Sequence, residues 1–112
     1  MSELVKLKTE NQISFISMDD GKANAMSVEM IESLNAALDE AERSGSVVIL
    51  SGRENVLSGG FDLGVFKSGD NAKILKMLTL GAELSHRMLS YPKPVIAACT
   101  GHAVAMGTFL LL

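Results

Sequence analysis

Two glycine-bearing segments carry the residue types best suited to chemistry in this 112-residue chain. They are Leu57-Ser58-Gly59-Gly60-Phe61-Asp62-Leu63 and Thr100-Gly101-His102-Ala103-Val104-Ala105-Met106-Gly107. Each comes after a short apolar run, at 47–50 and 95–99. Glycine lets backbone N–H groups come close to a ligand oxygen. In a parallel α/β sheet such turns sit at the carboxyl ends of strands, where ligands bind. The second segment also opens a helix, whose first N–H groups lack intrahelical partners and favour negative charge. Brought together, the two would form a backbone oxyanion hole. Apart, they are two ordinary tight turns.

Competing chemistry finds little support. Gly59-Gly60 with Gly64 does not fit G-x-G-x-x-G. Gly21-Lys22 lacks the preceding P-loop glycine and the following Ser or Thr. No cysteine or histidine pair has metal-ligand spacing, so no metal is expected. Glu83 and His86 stand three apart on a helical stretch, the spacing of a base and its orienter, but surface pairs of this kind are mostly solvated. Cys99, at the end of an apolar strand, reads as inert.

The elements that must position these turns follow from periodicity. Residues 3–8 and 12–18 alternate around Glu10-Asn11, which predicts a hairpin. Ser27 is a good N-cap with Glu29 in the first turn. Met30, Ile31, Leu34, Leu38 and Ala41 then recur at helical spacing up to Arg43, and Gly45 stops the helix. The run 47–50 reads as a strand buried on both faces. Residues 51–68 are polar, hold four glycines and read as a loop. Asp70 caps a second helix with Ile74, Leu75, Leu78, Ala82 and Met88 or Leu89 as its apolar positions, ended by Pro92 and Pro94. The run 95–99 is a further buried strand, 100–102 its turn, and 105–112 the start of a helix. This order predicts an α/β chain with parallel crossovers.

Composition bounds the rest. The length allows one domain, and a net charge of −3 offers no basic stripe for nucleic acid. One cysteine cannot form an internal disulfide, and Met1-Ser2-Glu3-Leu4-Val5-Lys6 does not resemble a signal peptide, so the cytoplasm is the expected setting. Residues 94–112 carry no formal charge over 19 positions, about the length of a membrane span. Pro94, Thr100-Gly101-His102 and Gly107-Thr108 break that run, so no membrane partner is expected. Apolar residues reach 47%, more than a domain this small covers by itself. The end, Phe109-Leu110-Leu111-Leu112, has neither cap nor charge, and reads as a fragment cut within a helix.

Four stretches, in order, resemble the crotonase superfamily, the enoyl-CoA hydratases and isomerases. They are Gly21-Lys22-Ala23-Asn24-Ala25-Met26-Ser27, Ser58-Gly59-Gly60-Phe61-Asp62-Leu63, Lys93-Pro94-Val95-Ile96-Ala97-Ala98, and Gly101-His102-Ala103 leading to Met106-Gly107. The resemblance makes residues 1–112 the amino-terminal part of a crotonase-like, acyl-CoA-binding domain, truncated on its C-terminal side. It implies an α/β fold with a repeated ββα superhelical core, and homotrimers or hexamers. It implies an acyl-CoA thioester as ligand and no separate cofactor, coenzyme A being part of the substrate. The two oxyanion N–H groups fall on Phe61 and Met106. The ligand would lie along Lys22, Ala23, Asn24, Gly60, Asp62, Leu63 and Gly107, with Lys22 and Lys67 near its phosphates. His102 would serve in packing, and Asp62 would orient its loop by accepting backbone N–H bonds.

One departure matters. Hydratases of this family carry a glutamate three residues past the second donor, and Phe109 stands there. Phe109 would shape an apolar acyl pocket. The resemblance therefore implies isomerase-type or other enolate chemistry in preference to hydration. A non-catalytic acyl-CoA binder or structural subunit that lost its acid/base is the alternative, and an unrelated α/β nucleotide-binding domain stands well behind both.

Overall fold

Alternating side chains pair β1 (Val5–Glu10) with β2 (Ile13–Met18) in an antiparallel hairpin, Val5 opposite Met18 and Glu10 opposite Ile13. The fold is taken from a computed structural model that describes residues 4–99, 101–103 and 107. The hairpin turn is Asn11-Gln12, one residue later than the sequence suggests. Both residues have positive φ, 50° and 65°, as a two-residue turn between right-twisted strands requires. Among the described residues the first strand begins at Val5, after a turn at Leu4.

Helix α1 (Val28–Arg43) starts where expected, with the Ser27 hydroxyl accepting the Met30 N–H at 3.1 Å. Its stripe of Met30, Ile31, Leu34, Leu38 and Ala41 is buried as the periodicity predicts. Strand β3 (Val47–Ser51) lies parallel to β2, and β5 (Val95–Ala98) parallel to β3, giving the sheet order β1-β2-β3-β5. Ile16, Met18, Val48 and Leu50 face α1 in one core, each large aliphatic side chain contributing about 1.5–3 kcal/mol by its burial. The expectation that β3 and β5 are buried on both faces fails. Ile49 is only half-buried and Ile96 is exposed, because the helices cover the other face of the sheet. Cys99 is exposed too.

The polar stretch read as a loop holds β4 (Asn55–Ser58) and α2 (Leu63–Lys67). The stretch read as the second turn holds β6 (Gly101–Ala103), which pairs parallel with β4 in a separate two-stranded sheet. A Cβ on Gly101 would lie 1.9 Å from the Asn55 carbonyl carbon, so this glycine is there for close strand approach. His102, expected in packing, is exposed on this strand. From β3 onward the chain thus runs one strand in each sheet and then helix, and β5 and β6 begin the same cycle again. This is the ββα repeat that the resemblance implies.

Helix α3 (Asn71–Leu89) is capped by Asp70, whose carboxylate accepts the Ala72 and Lys73 N–H groups at 3.1 and 3.2 Å. Its buried stripe is Met77, Gly81 and Leu84, with Met88 half-buried. Leu75 and Leu89, expected inside, are 67% and 79% exposed, and Leu78 and Ala82 are exposed as well. Arg87 and Tyr91 explain the choice of face. The Arg87 guanidinium donates to the Asn35 side-chain oxygen at 3.1 Å and to Asp39 at 2.7 Å, and the Tyr91 hydroxyl donates to the Leu38 carbonyl at 3.1 Å. These bonds hold α3 against α1, and Leu84 joins the shared core with Met88 packed on it. Glu83 and His86 are exposed and do not line the cavity described below. Among the described residues no helix is long and apolar enough to cross a membrane.

Candidate active site

The segment between β2 and α1 has no regular structure, and its backbone groups are held by two side chains. The Asp20 carboxylate accepts N–H bonds from Lys22, Asn24 and Ala25 at 2.7, 3.0 and 3.1 Å. Asn24 is fully buried at a φ of 52°, a left-handed conformation that asparagine tolerates. Its amide group donates to the Met18 and Leu57 carbonyls at 3.0 and 3.1 Å and its oxygen accepts the Asp20 N–H at 2.9 Å. Arg53 closes the segment from outside, paired to Asp19 at 3.1 Å and donating to the Lys22 carbonyl. Asn24 therefore presents nothing to a ligand. Its expected place in the binding surface is corrected to a clamp beneath it.

Burial pulls the Asp20 carboxyl upwards, yet the three N–H bonds and the Arg53 guanidinium outweigh it and hold the group below its ordinary 3.8. A carboxylate with a depressed folded value stabilises the fold above its unfolded value, and that stability is lost as pH falls through the folded value. Urea midpoints of the wild type should therefore fall below about pH 4, from this group among others. Asp20→Asn should be less stable at pH 7 and lose less stability on acidification. Equal pH dependence in the two proteins would contradict this.

The same segment fixes the end of β4. The Met26 N–H donates to the Gly60 carbonyl at 2.7 Å, and the Asp62 N–H donates to the Met26 carbonyl at 3.4 Å. This parallel bridge centres on Phe61, so the N–H of Phe61 itself faces the opposite way. No described group accepts a hydrogen bond from it. Gly60 has a φ of 92°, a conformation that side chains strain, and so the turn needs glycine here. Asp62 caps α2 by accepting the Gly64 N–H at 2.8 Å, the loop-orienting part expected of it.

Around this turn lies an open cavity of about 450 Å³. Lys22, Ala23, Gly60, Phe61, Asp62 and Leu63 all line it, so most of the sequence-predicted residues come together. The Lys22 ammonium has no carboxylate partner among the described residues, while Lys67 lies in the last turn of α2 and does not line the cavity. Leu4, Asp20, Glu29 and Met30 also line it and were missed. Leu4 carried no signal beyond alternation, and Asp20 read only as a strand end. Met106 and Phe109 fall outside the described residues. Gly107 is helical and buried against the first turn: a Cβ on it would lie 2.5 Å from the Ser58 carbonyl oxygen. The two glycine-bearing segments do meet.

The sequence model of the enoyl-CoA hydratase/isomerase family matches residues 8–112. The chain belongs to that family. A provisionally named enoyl-CoA hydratase of Thermus thermophilus is 40% identical over 107 residues, covering 84% of this chain and 39% of the relative. Among solved structures, an enoyl-CoA hydratase of Mycobacterium ulcerans is 48% identical with a TM-score of 0.92, over 96% of this chain and 47% of that one. The apo Mtb enoyl-CoA isomerase is also 48% identical, with a TM-score of 0.91, over 98% and 48%. The fold is that of the crotonase superfamily. This family member spans less than half the length of these relatives, and the two solved structures, one named for each reaction, are equally identical to it.

Proposed function

We propose that the full-length protein is an acyl-CoA enzyme that stabilises a thioester enolate on backbone N–H groups, and that it isomerises enoyl-CoA rather than hydrating it. One observation carries this: the Phe61 N–H, unengaged by any described residue, sits on a glycine-set turn at the cavity of about 450 Å³. A thioester oxygen that gains negative charge in the reaction is stabilised by such a preorganised donor. Met106, next to the Gly107 that packs on Ser58, is our second donor. Lys22, Ala23, Asp62 and Leu63 would line the thioester and coenzyme A portion, with the Lys22 ammonium free to meet a phosphate and no separate cofactor needed.

The acid/base is not among Asp20 and Asp62, since both carboxylates are committed to backbone N–H groups. That commitment also supports the second reading, an acyl-CoA binder without chemistry. Exposed Leu75, Leu89 and Ile96 support burial by further chain or by subunits of a homotrimer or hexamer. The lone thiol of Cys99 supports a cytoplasmic setting.

The experiment offers the full-length protein a 3-enoyl-CoA and follows formation of the conjugated 2-enoyl product by absorbance. Turnover at about 1 s⁻¹ or faster is expected. Tight binding without turnover would favour the non-catalytic reading, and neither binding nor turnover would reject both.

A further inference from the structure

Resting on the reading of Phe61 as the oxyanion donor, we propose that Ser58 is the positioning residue that aims its N–H. Ser58 is fully buried, and its hydroxyl works in both directions. It donates to the Asn24 carbonyl at 2.8 Å and accepts the Gly60 N–H at 3.2 Å. Gly60 is therefore held at both ends, its N–H by Ser58 and its carbonyl by the Met26 N–H at 2.7 Å. The held carbonyl belongs to the same peptide plane as the Phe61 N–H. Glycine is the residue with the most backbone freedom, so the direction of that N–H is set by these two bonds and not by steric limits.

Ser58 does more than hold one turn. Its carbonyl oxygen and Cβ lie 2.5 and 2.8 Å from where a Cβ on Gly107 would stand, so Gly107 rests on the same residue. Through Asn24 the hydroxyl also reaches the clamp to Met18 and Leu57. One buried residue thus joins the Lys22–Ala25 segment, the Phe61 turn and Gly107. Alanine at 58 would fill nearly the same space but leave the Asn24 carbonyl and the Gly60 N–H without this partner. Cysteine keeps the size and supplies only a weak donor and acceptor.

The test measures kcat and KM for a 3-enoyl-CoA in full-length wild type, Ser58→Ala, Ser58→Cys and Phe61→Pro, with circular dichroism as the check of fold. Deuterium exchange at the Gly60 amide is followed alongside. Because small misplacements of a catalytic group cost up to about 10²-fold, Ser58→Ala should lower kcat about tenfold or more with KM within about threefold. Ser58→Cys should fall between it and wild type, and Gly60 exchange should be faster in Ser58→Ala. A role in scaffold stability alone would not split kcat from KM in folded protein. Wild-type kcat in folded Ser58→Ala, or a loss confined to KM, would overturn the proposal. So would two Ser58 variants that both fail to fold, since Ser58 would then be a stability residue. If Phe61→Pro is impaired while the Ser58 variants are not, this proposal falls and the donor stands. If Phe61→Pro turns over like wild type, the donor itself falls.

Discussion

Replacing Phe61 by proline should lower turnover of an acyl-CoA substrate by about 10²–10³-fold, the usual effect of deleting one oxyanion-hole donor. Phe61→Ala should keep most of it. The contrast isolates a single N–H, which proline lacks and alanine retains. The Phe61 ring is half-buried and meets the Phe66 ring edge-on, with centroids 6.3 Å apart. Losing that contact costs about 0.5–1.5 kcal/mol, an effect on pocket shape that both variants share. Neither variant breaks a described hydrogen bond, because the bonds beside Phe61 belong to Gly60 and Asp62. Gly60 precedes the proline and is the residue best able to absorb its demands on the backbone. Equal turnover in the two variants, both folded by circular dichroism, would remove Phe61 from the oxyanion hole.

How much of this was legible in the sequence differs from element to element. Helix α1 was readable throughout, because Ser27 caps it and one stripe of apolar residues leaves no second choice of face. Helix α3 was readable only in its ends. It has leucine or methionine on every side, and the bonds from Arg87 and Tyr91 to α1 decide which row goes inside. Neither bond is visible in periodicity. Strands β4 and β6 were hidden for another reason: they have four and three residues, too few for alternation to register, and each exists through pairing with the other far along the chain. Gly101 looked like a turn residue, since a glycine for a turn and one for strand approach read alike.

The site followed the same division. Four short motifs in order located the Lys22–Asn24 segment and the Phe61 turn, and the structure gathers most of those residues around one cavity. The motifs do not say which way a side chain points. Asn24 stands between two lining residues, yet its side chain turns inward to Met18 and Leu57. Glu29 and Met30 enter the cavity because α1 begins beside it, a tertiary fact that no local pattern carries.

The full-length protein should hydrate crotonyl-CoA feebly, well below the usual kcat range of about 1–10³ s⁻¹. Hydration needs a titratable group within reach of the water, and general acid–base catalysis of this kind contributes roughly 10²–10⁴-fold. Three residues past Met106, our proposed second donor, where the family resemblance implies the hydratase glutamate, the sequence has Phe109, which can neither take nor give a proton. The carboxylates nearest the Phe61 turn offer no replacement. Asp62 accepts the Gly64 N–H and Asp20 accepts three more from its own segment, so protonating either would weaken the turn it holds. Isomerisation differs in its demand: it moves a proton along the acyl chain and requires no activated water. Phe109→Glu should not install hydration by itself, because a partner acid would also have to be placed. Loss of the enoyl absorbance of crotonyl-CoA is the measurement. Turnover within the ordinary range would refute the assignment and pass the role to another lining carboxylate, Glu29 being the one that no described group engages.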